Sequence, residues 1–231
     1  MKVCLFTDTF FPNVGGAEMV LDHLARELLN RGDTVVVLAP KSRQSHDDSQ
    51  YAYPVVRYRK PFSKHFGLRL LLPRLIRLHQ RYQFDLIHCH AAYPPAYIAK
   101  SLSSMTNVPV VVRPHGSDIL PGERMRKHPR IENRIRDTLN AVDAVIAQGD
   151  FLKEEITTLG VSPEKVHVIH NGVSLENFAA GEVYPHPKPY CLSLGNLSHR
   201  KGFDTLIRAY AELDSPPFDL LIGGQDRKKR T

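Results

Sequence analysis

Lys2 to Ala39 reads as a strand, a glycine loop, an amphipathic helix and a second strand, and that order leaves few folds open. Lys2 to Phe6 forms the first strand, and Thr7 to Gly16 forms a loop containing Pro12 and Gly15-Gly16. From Ala17 to Arg31, Val20, Leu21, Leu24, Ala25, Leu28 and Leu29 recur at helical spacing, and Gly32 stands where such a helix ends. Thr34 to Ala39 is nearly all apolar, as a strand covered on both faces must be. Two strands joined by a helix make a βαβ unit, which predicts a parallel sheet of Rossmann-like α/β type with helices on both faces.

The same alternation runs on. Val55 to Arg59 reads as a short strand, Phe66 to Arg81 as a helix that Pro73 kinks or starts, and Leu86 to His90 as a strand. Tyr93 to Met105 follows as a helix after Pro94-Pro95, then Val110 to Arg113 as a strand. Pro129 to Ala141, Ala144 to Ala147, Asp150 to Leu159 and Val166 to Ile169 continue as helix, strand, helix, strand. A first domain over 1–175 is expected, followed by a linker over 176–189 that holds Pro185, Pro187 and Pro189. The pattern then restarts over 190–231 with strand Tyr190–Leu194, helix Gly202–Leu213 and strand Phe218–Ile222. One βαβ unit of this size does not bury a core of its own, so the second domain is expected to be incomplete.

Several function classes drop out early. The N-terminus turns polar at Thr7-Asp8 and has no small-residue cleavage site, so it is no signal peptide. No apolar run approaches the ~18–20 residues of a membrane span. Cys4, Cys89 and Cys191 are far apart and in no CxxC pattern; buried reduced thiols in a cytoplasmic protein are the expectation. The net charge of +7 is concentrated between Ser49 and Phe84, where Arg57, Arg59, Lys60, Lys64, Arg69, Arg74, Arg77 and Arg81 meet no acidic residue. No nucleic-acid motif accompanies them. Interleaved with Leu68, Leu70 to Leu72, Leu75, Ile76 and Leu78, they fit either a core-packed helix with a solvated basic face or a contact with an anionic membrane surface through residues 57–81.

The candidate chemistry sits in the loops that follow strands. Gly15-Gly16-Ala17-Glu18 opens the first helix, where glycines let backbone N–H groups approach an anion such as a diphosphate. Equally, it is a plain turn in which Glu18 favours the first helical turn. GxGxxG is absent, which argues against a nicotinamide-dependent oxidoreductase. His88 and His90 fall on one side of a strand end, with no third ligand nearby to make a metal site, and are expected to line a cleft. Val111-Val112-Arg113-Pro114-His115-Gly116-Ser117-Asp118 is a buried strand ending in a polar loop. This puts His115 at the strand's carboxyl end, where doubly wound sheets bind ligands. Asn171-Gly172 makes a tight turn into the linker. Gly195-Asn196-Leu197-Ser198-His199-Arg200-Lys201-Gly202 is a glycine turn with two adjacent cations before a helix, a cradle for an anion with Lys201 as the point charge.

Taken in order, Gly15-Gly16-Ala17-Glu18, His115-Gly116-Ser117-Asp118, His170-Asn171-Gly172-Val173, Gly195-Asn196-Leu197 with Lys201-Gly202-Phe203-Asp204-Thr205-Leu206-Ile207, and Leu221-Ile222-Gly223-Gly224 resemble the retaining GT-B glycosyltransferases of family 4 over nearly the whole chain. The resemblance implies two Rossmann-like domains. The first would bind a glycan or lipid-linked acceptor, and the second a UDP- or GDP-linked sugar, with no essential metal and no other cofactor. It implies hexose transfer with retention in polysaccharide biosynthesis, in the cytoplasm or peripherally at the inner face of the membrane. By the same resemblance His115 lies beside the transferred sugar. Gly15, Gly16, Lys201 and Arg200 meet the donor diphosphate. Glu18, His88, His90, Ser117 and Asp118 border the acceptor and cleft, and Asn171 and Gly172 form the interdomain turn.

Two departures stand out. The family usually has Arg where this chain has Asn196, and its acidic donor-binding motif would lie beyond Thr231. The competing expectation is therefore a non-catalytic acceptor-binding module, or one half of a split enzyme completed by a partner chain.

Overall fold

The computed structural model describes residues 1–60, 67–123, 125–173, 175 and 184–224. The chain divides into two units, Met1–Val173 and Ser174–Thr231. In the first, seven strands run β1 (Lys2–Thr7), β2 (Thr34–Pro40), β3 (Val55–Tyr58), β4 (Leu86–His90), β5 (Val110–Val112), β6 (Ala144–Ala147) and β7 (Val166–Val168). All six pairings are parallel, in the order β3-β2-β1-β4-β5-β6-β7. The expected α/β class is the observed one. The chain steps outward from β1 to β3 and returns to the other side of β1 as β4. A doubly wound sheet offers its ligand crevice at this reversal, outside the carboxyl ends of the strands.

Period-2 alternation sorts the strand residues between two clusters. Val3, Leu5, Val35, Val37 and Ala39 pack with Leu21 and Ala25 of α1 (Gly16–Asn30). Cys4, Phe6, Val36, Leu38, Ile87, Cys89, Val110 and Val112 pack on the opposite side. Their partners there include Leu75 of α2 (Leu72–Tyr82), Leu102 of α3 (Tyr97–Thr106), Ile135 of α4 (Pro129–Ala141) and Ile156 of α5 (Asp150–Thr158).

Two helices begin later than the apolar periodicity predicts, both because of proline. A single 3-10 turn spans Gly67–Leu70, and α2 starts at Leu72 with Pro73 in its first turn, where a missing N–H costs nothing. Residues 61–66, including Lys64, lie outside the described part, as do the side chains of Arg69 and Arg200. Before α3, Tyr93 is extended, with φ −148° and ψ 133°, and regular helix begins only at Tyr97.

In the second unit β8 (Tyr190–Leu194) and β9 (Asp219–Gly223) pair in parallel, with α6 (Phe203–Ala211) between them in sequence. Leu192, Leu194, Ile207 and Ile222 are exposed. Cys191 is a correction to the expected buried thiols. Cys4 and Cys89 are buried, but Cys191 is exposed, on a strand of this two-stranded sheet.

Candidate functional site

The site grows from the carboxyl ends of β1, β4 and β5. Thr7 is in register with His90 and Cys89 with Val112, so the loops after these three strands leave the sheet side by side. Ile87 and Cys89 face the larger core cluster, so His88 and His90 face the other side of the sheet, as do Val111 and Arg113. On that side the apolar core gives way to polar residues. His90 is 1% exposed and Arg113 6%. The His88 and His90 ring centroids lie 4.6 Å apart, and His90 stacks on His115 at 5.5 Å. Sequence reasoning places His88 and His90 as cleft-lining residues; the structure buries both, with His90 beneath the His115 ring.

Burial and the nearby Arg113 cation keep these imidazoles neutral. Burial pushes His88 down to about 3, with Arg113 and His115 adding to the effect. His115 falls to about 4, by burial and then by Arg113. His90 is held well below the ordinary range, first by burial and then by its neighbours. His88 Nε2, both ring nitrogens of His90, His115 Nε2 and Arg113 Nε have no hydrogen-bond partner among the described residues.

The loop carrying His115 is fixed from below by Asp118. Its Oδ2 accepts the backbone N–H of Ala92 at 2.7 Å, and its Oδ1 accepts that of His115 at 3.0 Å. One carboxylate thus ties the end of β4 to the loop after β5. Burial raises the Asp118 carboxyl, and these backbone donors partly offset the rise. Gly116 has φ +89°, a left-handed conformation that a side chain would strain. Ser117 is exposed. Asp118, expected to border the acceptor, is placed with its oxygens bonded to backbone N–H groups and is 3% exposed.

At the end of β1, Gly15 caps α1 in extended conformation with no side-chain hydrogen bond. A Cβ added at Gly16 would meet nothing within 4 Å, so packing does not demand glycine there. Glu18 is buried and accepts a hydrogen bond from Thr9 Oγ1, which braces the β1 loop against the helix rather than opening the carboxylate to solvent. Asn171 and Gly172 are exposed in the segment after β7. In the second unit, Lys201 is exposed at the end of a 3-10 turn (His199–Lys201), and Gly202 takes φ +67° to start α6. Leu197, Ser198, His199, Phe203 and Asp204 line a cavity of about 310 Å³ at that helix start. Among the described residues no group of three or more His, Cys, Asp and Glu could hold a metal ion. No helix among them is long and apolar enough to cross a membrane.

Sequence reasoning missed Gln148, whose Nε2 donates to Pro114 O at 2.6 Å. Its only sequence signal is its place one residue past the apolar strand Ala144–Ala147.

The profile of Glycosyltransferase Family 4 matches residues 14–177, most of the first unit. The chain belongs to that family. Among related proteins, the alpha-monoglucosyldiacylglycerol synthase of Streptococcus pneumoniae is 23% identical over 235 residues, covering 92% of this chain and 53% of its own. The GDP-mannose:cellobiosyl-diphosphopolyprenol alpha-mannosyltransferase of Xanthomonas oryzae is 28% identical over 244 residues, 98% of this chain and 60% of its own. The chain thus spans about half the length of these family members. Among solved structures, Anabaena HepE in complex with UDP superposes with a TM-score of 0.70 at 21% identity, covering 96% of this chain and 62% of that one. At that identity the likeness is one of fold, the GT-B type.

The neutral histidines give this member of the family a pH signature. Each has a folded-state pKa below its ordinary value of 6.5, so the unfolded chain binds protons that the folded one excludes. Their stabilisation is complete above 6.5 and is lost as pH falls towards 4. The raised Asp118 carboxyl works in the opposite direction, one group against three. Urea unfolding at about pH 4.5 is expected to give a free energy a few kcal/mol below that at about pH 7. An unchanged value would mean that the cluster is not neutral when folded.

Proposed function

We propose that this chain belongs to a retaining hexosyltransferase that uses a UDP- or GDP-linked sugar and a glycan or lipid-linked acceptor. The observation that carries the reading is the convergence of the Gly15-Gly16 loop, the buried histidines and His115 at the carboxyl ends of β1, β4 and β5, in a member of Glycosyltransferase Family 4. In this reading the bond between the anomeric carbon and the diphosphate oxygen breaks. The acceptor hydroxyl oxygen forms the new bond on the same face and passes its proton to the departing phosphate. His115, neutral and with Nε2 uncommitted, sits beside the transferred sugar. Gly15 and Gly16 approach the donor phosphates, and Lys201 with Arg200 offsets the charge that develops on the leaving group. Gly16 fits such a role, since it leaves open space where a side chain would otherwise stand. The fixed parts are protein dipoles and cations, so the reading requires neither a metal nor an enzyme nucleophile.

The acceptor class draws on the related proteins. One is named for a diacylglycerol, another for a diphosphopolyprenol and for GDP-mannose. A lipid-linked acceptor calls for contact with a membrane surface at the inner face. The structure bears on how α2 would make it: Leu71, Leu75 and Leu78 are buried, while Arg74, Arg77 and Arg81 are exposed beside the exposed Leu70. The apolar face is taken up by the core, so the contact proposed is electrostatic.

The test is a titration of the purified chain with UDP, GDP and ADP, followed by melting temperature. A ligand of the folded state at a hundred times its dissociation constant stabilises by about 2.7 kcal/mol. A saturable rise with UDP or GDP is expected. No rise with any of them, from a cooperatively unfolding protein, would count against donor binding by this chain. It would favour instead the acceptor-binding module or the half that needs a partner chain.

A further inference from the structure

The segment 169–171, which leaves β7, is tied to the two residues that precede His115; the tight turn expected at Asn171-Gly172 is not formed there, and neither residue takes a left-handed φ. Arg113 Nη2 donates to Oδ1 of Asn171 and, at 3.4 Å, to the carbonyl of Ile169. Gln148 donates from Nε2 to Pro114 O at 2.6 Å, and its own carbonyl accepts Nδ1–H of His170 at 2.9 Å. Ile169, His170 and Asn171, three consecutive residues, are therefore linked by hydrogen bonds to Arg113 and, through Gln148, to Pro114. Asp118 then fixes the His115 backbone from the far side at 3.0 Å.

The cost of Arg113 shows that this network is not there for stability alone. Arg113 is 6% exposed, and none of the ion pairs among the described residues involves it. An apolar side chain of similar volume would occupy a buried position of this kind more cheaply. From the one nitrogen Nη2 the guanidinium reaches two acceptors of this segment at once, which an apolar side chain cannot do. The first unit ends at Val173, so this segment is where the chain leaves it.

We propose that Arg113 and Gln148 are positioning residues that join the segment 169–171 and the His115 loop into one element, so that a shift in that segment is felt at His115. Its consequence for transfer rests on the role given to His115 above. The coupling itself is read without activity and stands or falls separately.

Amide hydrogen exchange on the full chain tests it. Asn171→Ala takes one acceptor from the buried Arg113 and is expected to lower the melting temperature by a few degrees, with exchange at the β1 and β2 amides as the measure of that global loss. Beyond that loss, it is expected to speed exchange at His115, Ile119 and Leu120, more than 50 residues away in sequence, by up to about tenfold. Asn171→Asp, which keeps an acceptor for Arg113, is expected to restore the slow rates. Gln148→Ala cuts the other arm and is expected to speed the same amides. Faster exchange confined to 169–173 in both alanine variants would overturn the proposal, as would failure of Asn171→Asp to restore the slow rates.

Discussion

Asp118→Ala is expected to lower the unfolding free energy by about 2–5 kcal/mol, the largest stability loss of any single change in the site. The carboxylate accepts backbone N–H bonds from Ala92 at 2.7 Å and from His115 at 3.0 Å, and it is 3% exposed. Alanine removes both acceptors and leaves two amides with nothing to receive them. A buried unmet donor costs about 1–3 kcal/mol, whereas a satisfied bond contributes less than that net. The burial that raises the Asp118 carboxyl is relieved at the same time, so the loss stays below the sum of two full penalties. Asp118→Asn is expected to fall between, because its single carbonyl oxygen can serve one donor while its amide confronts the other. Urea unfolding with an unchanged m-value reads both changes. A free energy for Asp118→Ala within about 0.5 kcal/mol of the parent would show that water replaces the carboxylate without cost.

Asp118 also marks how far sequence could be read into structure. The alternation of strands and helices from Lys2 to Ile169 was legible because apolar period tracks backbone period, and each unit repeats the signal. Proline shifted two helix starts, at Leu72 and Tyr97, because period alone cannot say which turn a ring interrupts. Cys191 was misplaced for another reason. Its strand looks apolar along the sequence, but burial depends on what covers a sheet, and that information is not local.

The site was legible by position more than by role. A strand ending in His115-Gly116 announces a loop at the ligand end of a parallel sheet, and the left-handed φ of +89° at Gly116 gives the physical reason for that glycine. Hydrogen-bond partners were not legible. Glu18, His88, His90 and Asp118 look from sequence like polar groups offered to a ligand. In the fold, Glu18 is bonded to Thr9 and Asp118 to two backbone amides, while the histidines form a buried stack. Arg113 was read as a strand-end residue and Gln148 was not read at all, although they reach 58 and 34 residues along the chain to their partners. Such links join loops whose proximity is created only by the order in which the strands assemble.

On the proposed reading, His115→Ala is expected to reduce hexose transfer by roughly 100- to 1,000-fold, the range that follows loss of one preorganised polar group at a reacting centre. The geometry argues for an effect on the rate more than on nucleotide binding. His115 is held by its backbone N–H to Asp118, and its ring is stacked on His90 with Nε2 uncommitted. Lys201, the cation assigned to the diphosphate, belongs to a different unit of the chain. The melting-temperature rise with nucleotide is therefore expected to survive the substitution while initial rates of labelled hexose transfer collapse. Because burial and Arg113 hold the imidazole down to about 4, it acts as a neutral hydrogen-bonding group. His115→Gln, neutral and polar, is then expected to retain more activity than His115→Ala. Rates above about pH 5 are expected to show no ionisation belonging to His115. Retention of more than about a tenth of the parental rate by His115→Ala would remove His115 from the reacting centre. In that event the buried stack beneath it would be left with a purely structural part, and the search for the sugar-facing group would turn to the α1 N-terminus, where Gly16 leaves open space above the end of β1.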